Sequence, residues 1–315
     1  MKRRDFLLGS MGAMLLSKGG AARMMDYRTK NPLLKRVYKD NIKLSIIGFG
    51  GILVVGMEQS AANRLAEESI QEIGINYFDV APSYGDGEAE IKLGKALKNS
   101  RKEIFLACKT MERDAKGAEK ELHRSLKRLY TDYFDLYQFH AVTTPEEVEQ
   151  IFAPDGAIRT FLKARDAGKI RFIGFSAHSE KAALALLERF NFDSVLFPIN
   201  FVCIAQGNFG PGVIQKAGEK KAALLALKSL AYSPWPEGME KQYPKCWYRP
   251  VDERHLAQQA LRFTLSEPVT AAIPPGDERL FRLAVEFASE FSPLSASERA
   301  KLLDDTKHIE PLFRT

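Results

Sequence analysis

The chain is poor in cysteine. Cys108, Cys203 and Cys246 are its three, and no two are closely spaced. That excludes a disulfide framework and a cysteine-based zinc set, and leaves the three as packed thiols. Charge of one sign is scarce as well. The formal net charge is +6, and Lys2, Arg3, Arg4, Lys18 and Arg23, opposed by Asp5, crowd most of that excess into residues 1–25. The remainder is too small and too scattered for a nucleic-acid footprint. No apolar run is long enough for a membrane span. No internal repeat, low-complexity linker or cluster of metal-ligating side chains divides or marks the chain. Apolar residues make up 45% of it, enough for a large core and too many for a disordered chain.

The N-terminus reads MKRRDFLLGSMGAMLLSKGGAARM. Arg3 and Arg4 precede Phe6-Leu7-Leu8 and a modestly apolar run to Leu16. This is the layout of a twin-arginine export signal over residues 1–25, with the export machinery as partner and the periplasm as destination. Lys18, just after the run, is a charge that general secretion handles poorly. A clean A-x-A cleavage site is missing. A floppy basic N-terminus on a cytoplasmic protein is the competing reading.

From residue 35 onward, strand and helix patterns alternate in a single domain, 35–315. Apolar or β-branched runs fall at 44–50, 76–81, 103–109, 133–140, 170–176, 194–200, 223–229 and 269–274. Helical periods lie between them, as at 61–74 and 117–130; in the second, Leu122, Leu126 and Leu129 share one face. Such alternation predicts a (β/α)8 TIM barrel with a short N-terminal hairpin and a C-terminal helix. The strands lack clean period-two alternation, as expected when both faces are buried. An open doubly wound sheet competes, but GFGG at 48–51 lacks the third glycine of a dinucleotide fingerprint. The segment 233–250, SPWPEGMEKQYPKCWYRP, separates the seventh strand from its helix and reads either as a packed surface loop or as a lid.

Barrel chemistry sits at the C-terminal ends of the strands. Asp79 ends the second strand and Tyr84 follows in its loop. Lys109 ends the third, and His140 the fourth. Each alone has a structural reading; four on three consecutive strand ends point to proton transfer. A free tyrosine is a weak acid, with a pKa of about 10. A neighbouring ammonium from Lys109 is expected to lower that value. Asp79 is the counter-ion that a buried lysine needs. A neutral His140 orients and polarises a substrate oxygen. These side chains supply no hydride, so a nicotinamide has to.

At these residues the sequence resembles the aldo-keto reductase family. GINYFDVAPSYGDGEAEIKLGKAL is similar to the segment holding the family's aspartate and tyrosine. VYKDNIKLSIIGFGG resembles its N-terminal hairpin and first strand, and LACKT, SLKRLYTDYFDLYQFH, AGKIRFIGFSAHS and ALRFTLSEPVTAAIPP follow at the expected intervals. The match runs over most of the chain. It implies a catalytic tetrad of Asp79, Tyr84, Lys109 and His140, with Tyr84 as proton donor, no metal, and NADP or NAD as cofactor. It also implies Ser176, Asn200 and Lys228 around the nicotinamide, and Pro275 and Gly276 by the phosphates. Ala177 and His178 stand where the family commonly has an asparagine after Ser176. Asp277 would repel a 2′-phosphate, which Arg279 or Arg282 would offset. The C-terminal LLDDTKHIEPLFRT has no cysteine for an iron–sulfur cluster.

The function implied is a nicotinamide-dependent oxidoreductase acting on a small carbonyl or alcohol. The alternative is a decayed barrel that serves as a binding or regulatory protein. A Schiff-base aldolase on Lys109 is a weaker third reading, because it leaves Tyr84 and His140 without a joint task. Phe49, Trp235, Trp247 and Tyr248 are candidates for an apolar pocket wall. Export in the folded state suits an enzyme that must bind its cofactor before leaving the cytoplasm.

Overall fold

In the computed structural model, which describes residues 32–315, eight strands stand side by side in chain order. They are β1 (Phe49–Gly50), β2 (Tyr77–Asp79), β3 (Phe105–Thr110), β4 (Phe134–Val142), β5 (Ile170–Ala177), β6 (Ser194–Pro198), β7 (Ala223–Leu227) and β8 (Ala271–Ile273). Every neighbouring pair is parallel. The two ends of the sheet meet where the Gly48 amide donates to the Ala272 carbonyl at 2.9 Å and the Ala272 amide donates to Ile46 at 2.8 Å. This is the barrel that the alternating pattern predicts. The export signal expected over residues 1–25 lies outside the described residues.

The run 44–50 does not form one strand. Ile42–Ser45 pairs antiparallel with Lys35–Lys39 in a hairpin, and the chain joins the barrel only at Phe49. That hairpin plugs the N-terminal end of the barrel. The Tyr38 ring packs on Phe105 and Phe172 with centroids 4.9 and 5.4 Å apart, and its hydroxyl donates to Ser194 at 3.2 Å. An aromatic body fills the apolar opening while its polar tip finds a partner.

Side chains alternate across each strand, so one barrel has two cores. Tyr77, Ala107, Leu136, Leu196, Leu225 and Ala271 fill the interior. Phe78, Leu106, Tyr137, Phe139, Phe175 and Phe197 face the surrounding helices. Helices occupy Gln59–Gln71 and Ala115–Arg128, close to the periodic stretches in the sequence. In the second, Leu122 and Leu126 are buried against the sheet, and Asp114 caps its start by accepting from the Gly117 amide. Truncating a core leucine such as Leu122 to alanine costs about 2–5 kcal/mol.

The segment 233–250 is tied across the barrel rim. Ala231–Pro234 pairs antiparallel with Tyr248–Pro250. Between these strands, Trp235 Nε1 donates to the Cys246 carbonyl at 2.9 Å and Lys245 Nζ donates to the Leu53 carbonyl at 2.7 Å. The second bond spans from the loop after β7 to the turn after β1. The C-terminal helix is Ala296–Asp305, opened by a capping box between Ser295 and Glu298.

Candidate active site

Asp79 is the last residue of β2, Lys109 is next to last in β3, and His140 lies near the end of β4. In register, Asp79 stands beside Ala107 and Lys109 beside Gln138. Residues two apart share a face, so Tyr77 and Asp79, Ala107 and Lys109, and Gln138 and His140 all point toward the barrel axis. The lower member of each pair builds core and the upper one reaches the rim.

Asp79 and Lys109 are each 1% exposed and form an ion pair. The other Asp79 oxygen accepts from Gln138 Nε2 at 3.0 Å and from the Tyr77 hydroxyl at 3.1 Å. Two charges this deep coexist only when they are paired and the remaining lone pairs are hydrogen-bonded, which these contacts achieve. Asp79 and Lys109 are marked in the sequence, whereas Tyr77 and Gln138 are not. Their signal is positional, since each lies two residues before a site residue on its own strand.

Lys109 Nζ also donates to the Tyr84 hydroxyl at 3.3 Å. Tyr84 returns to the strand ends because the loop after β2 turns sharply, with Gly85 and Gly87 at φ values of 61° and 89°. Its ring meets His140 edge-on at 5.8 Å, and the Ser83 hydroxyl lies 3.5 Å from His140 Nδ1. The His140 carbonyl accepts from Arg113 at 2.7 Å, and Arg113 is itself paired with Glu147 at 2.8 Å. Next in the chain, Ala141 adopts a left-handed φ of 52°, and its amide donates to Ser176 Oγ at 2.8 Å. Strain of this kind in an alanine persists where surrounding contacts over-determine the backbone.

One cavity is lined by Asp79, Tyr84, Lys109 and His140 together with Ser176, Lys228, Pro275 and Gly276. Asn200 and Arg279 are not among its lining residues. Asn200 caps the helix Phe201–Gly207, its Oδ1 accepting from the Cys203 amide at 2.8 Å. Arg279 is bound to Asp277 and lies over the Tyr243 ring, and Arg282 is paired with Glu68 and Glu278. Trp247 and Tyr248 line the cavity, as do Lys245, Cys246 and His178, which the sequence reading leaves without a role. Phe49 is stacked on Phe78 in the core.

The electrostatics depart from expectation at Tyr84. Burial pushes its phenol above the ordinary value; Lys109 pulls it down, and Asp79 pushes it up again. Desolvation outweighs an ammonium whose charge Asp79 already offsets, so the phenol is not more acidic than free tyrosine. For Lys109, burial works against the ammonium, but Asp79 and Tyr84 outweigh it and the net displacement is upward. Burial first, and Lys109 second, hold the His140 imidazole well below its ordinary range. Burial and Lys228 bring His178 down to about 4. Burial brings Lys228 down to about 8. At neutral pH the cavity therefore presents a protonated phenol, a buried ammonium and a neutral imidazole. Among the described residues, no group of three or more His, Cys, Asp or Glu side chains is arranged to hold a metal ion.

The opposite wall suits a dinucleotide. A Cβ on Gly276 would come within 2.4 Å of Ile52, and one on Gly50 within 2.9 Å of Ile273, so glycine lets the loops after β1 and β8 close together at the cavity edge. The helix Glu278–Ser289 starts beside Gly276, and Lys245 brings a cation to the same cavity. An ammonium group, closely approaching backbone and a helix N-terminus form a donor set for a diphosphate.

The family model described as the aldo/keto reductase family matches residues 47–205, about half of the chain. A Bacillus subtilis (strain 168) protein described as the uncharacterized oxidoreductase YqkF is 23% identical over 278 residues, 79% of this chain and 88% of that one. Among solved structures, the holo form of aldo-keto reductase AKR11C1 from Bacillus halodurans aligns with a TM-score of 0.70 at 25% identity, covering 89% of this chain and 98% of the other. An aldo-keto reductase from Klebsiella pneumoniae, solved in complex with NADPH, shares the fold at a TM-score of 0.62 and 20% identity, over 87% of this chain and 94% of its own.

Proposed function

Because this chain belongs to the aldo/keto reductase family, and is thereby an NAD(P)H-dependent oxidoreductase, we propose that Tyr84 is the general acid with which it reduces an aldehyde or ketone to an alcohol. The observation that carries this reading is the 3.3 Å contact of Lys109 Nζ with the Tyr84 hydroxyl, backed by Asp79.

The nicotinamide, when bound, supplies the hydride that the carbonyl carbon accepts. Tyr84 gives its proton to the carbonyl oxygen, which balances the reduction. A phenol held above its ordinary pKa keeps that proton in the resting enzyme. As the proton leaves, negative charge grows on the Tyr84 oxygen directly against the Lys109 ammonium. The lysine thus acts where the transition state needs it more than the ground state does. Asp79 holds Lys109 in place, with Gln138 and Tyr77 holding Asp79. Neutral His140 orients the carbonyl oxygen through a ring nitrogen. Ser176, Pro275 and Gly276 are the residues proposed to hold the cofactor. NADPH is the proposed form, supported by the NADPH complex of the Klebsiella pneumoniae neighbour. We further propose that residues 1–25 direct the folded protein to the periplasm.

Tyr84→Phe tests the central role, because it keeps the ring and removes the proton. NADPH is expected to bind the variant with near wild-type affinity in a fluorescence titration. Turnover of 4-nitrobenzaldehyde is expected to fall by about 100-fold or more, the lower range for loss of a general acid. Full activity in Tyr84→Phe would remove Tyr84 from the role. Failure of the wild type to bind either NADPH or NADH would favour a binding or regulatory protein instead.

A further inference from the structure

We infer that Lys228 and His178 form an anion site on the substrate side of the cavity, and that the carbonyl substrate carries a carboxylate or similar anionic group to it. The inference rests on the reductase reading and narrows its substrate class.

Lys228 follows β7 with a left-handed φ of 64°. That conformation is uncommon for a lysine and turns the chain sharply at the end of the strand. Among the described residues, its Nζ has no hydrogen-bond acceptor and no carboxylate partner. It lies instead 4.9 Å from the ring centre of Tyr248 and 5.1 Å from that of Trp247. Other cations at or near the cavity are engaged: Lys109 by Asp79, Arg113 by Glu147, Arg279 by Asp277, and Lys245 by the Leu53 carbonyl. His178 lines the same cavity; its Nε2 is buried with no hydrogen-bond partner, and its ring stacks on Phe313 at 5.7 Å. A half-buried ammonium and an orphaned imidazole nitrogen in one cavity are both costly until a ligand completes them.

The direction in which Lys228 acts selects the ligand. Its charge bears on both His140 and His178, which places it toward the proposed proton-transfer groups. The charges that bear on Lys245 are those of Asp277, Glu88, Lys92 and Glu278, around the loops where the cofactor phosphates are expected. Lys245 is thereby the cation nearer the phosphate loops, and both ammonium groups act on the Cys246 thiol. With its pKa near 8, Lys228 is still mostly protonated at pH 7. The buried Tyr248 ring limits the water that can screen its charge from one side. A carboxylate there accepts from the ammonium and from a neutral His178 ring N–H, while the carbonyl of the same molecule reaches Tyr84.

The test compares 4-carboxybenzaldehyde with 4-nitrobenzaldehyde, two flat and nearly isosteric aldehydes that differ in charge. The wild type is expected to favour the carboxylate through KM. Lys228→Asn removes the charge and suits the left-handed backbone. In that variant the ratio of kcat/KM for the charged over the neutral aldehyde is expected to fall roughly 10- to 100-fold, the scale of one charge-assisted hydrogen bond. His178→Phe, which preserves the stack on Phe313, is expected to lower the same ratio by roughly 3- to 10-fold. A parallel titration of the NADP-loaded protein with benzoate, read by Trp247 fluorescence, is expected to saturate in the wild type and to lose its signal in Lys228→Asn. Should Lys228 hold the cofactor diphosphate instead, Lys228→Asn weakens NADPH binding, slows both aldehydes alike and leaves the ratio unchanged. That result overturns the inference and leaves the reductase reading standing. An unchanged ratio with unchanged NADPH affinity overturns it as well. A wild type that binds no nicotinamide and reduces neither aldehyde removes the reductase reading and the inference together.

Discussion

Asp79 and Lys109 face each other across β2 and β3, each almost sealed from solvent, and the same ammonium reaches the Tyr84 hydroxyl. The pair ties stability to chemistry. Breaking it leaves a buried charge with no counter-ion. Asp79→Asn is expected to destabilise the fold by about 3–5 kcal/mol, because it removes one partner of a buried pair. Lys109→Met in the same background should recover part of that loss, since the orphaned cation goes with it. Guanidinium unfolding of the two single variants and the double variant measures the coupling; simple additivity would mean that the two charges do not support each other.

Gln138 touches the proposed acid only through two intermediaries, Asp79 and Lys109. Gln138→Leu keeps the volume and removes the 3.0 Å bond to Asp79. Losing one hydrogen bond to a charged group costs about 1.5–3 kcal/mol. We expect kcat to drop by roughly tenfold, equivalent to about 1.4 kcal/mol of transition-state stabilisation, with little change in NADPH affinity. Since Lys109 would be held less firmly, the alkaline limb of the kcat profile should also move. A variant with unchanged kcat and unchanged pH profile would show that Tyr77 alone suffices to hold Asp79.

His140 and His178 are both held below the ordinary histidine value. Between about pH 6.5 and the lower folded values, the unfolded chain takes up protons that the folded chain refuses. Their contribution to stability is complete above that window and is lost as the pH falls into it. Each histidine contributes a slope of at most about 1.4 kcal/mol per pH unit. Unfolding free energies measured from pH 7 to pH 5, where most carboxylates stay ionised, should fall with acidification, and His178→Phe should flatten the slope. Stability independent of pH over that range would mean that neither imidazole is buried in its neutral form.

Replacing Arg3 and Arg4 by lysine leaves the N-terminal charge unchanged and removes the twin-arginine pattern. The variant is expected to remain in the cytoplasm in a cell-fractionation assay, still folded and still able to bind NADPH. Normal appearance in the periplasm would show that export, if it occurs, uses another route.

Parts of the site are legible in the sequence alone. Asp79 and Lys109 stood out because strands buried on both faces read as apolar runs, and a charged residue at the end of such a run is conspicuous. His140 was visible for a similar reason. Tyr84 was marked by the glycines that turn its loop. Other features had weaker signals. Gln138 and Asp79 are neighbours only because β3 places Lys109 between their strands in register. The Asn200 side chain serves its own helix instead of the cavity, although its position just before Phe201–Gly207 is the ordinary place for a cap. The run 44–50 looked continuous, yet its first residues belong to the hairpin that closes the barrel floor.

By itself the sequence determined the eight-fold alternation, the order of the strands and the residue types at their upper ends, because burial and periodicity are written locally along the chain. Only the tertiary structure decided the charge balance at Tyr84 and the isolation of Lys228. Both are sums of opposing effects, desolvation against nearby charge, and those effects depend on distances of a few ångströms between residues far apart in sequence.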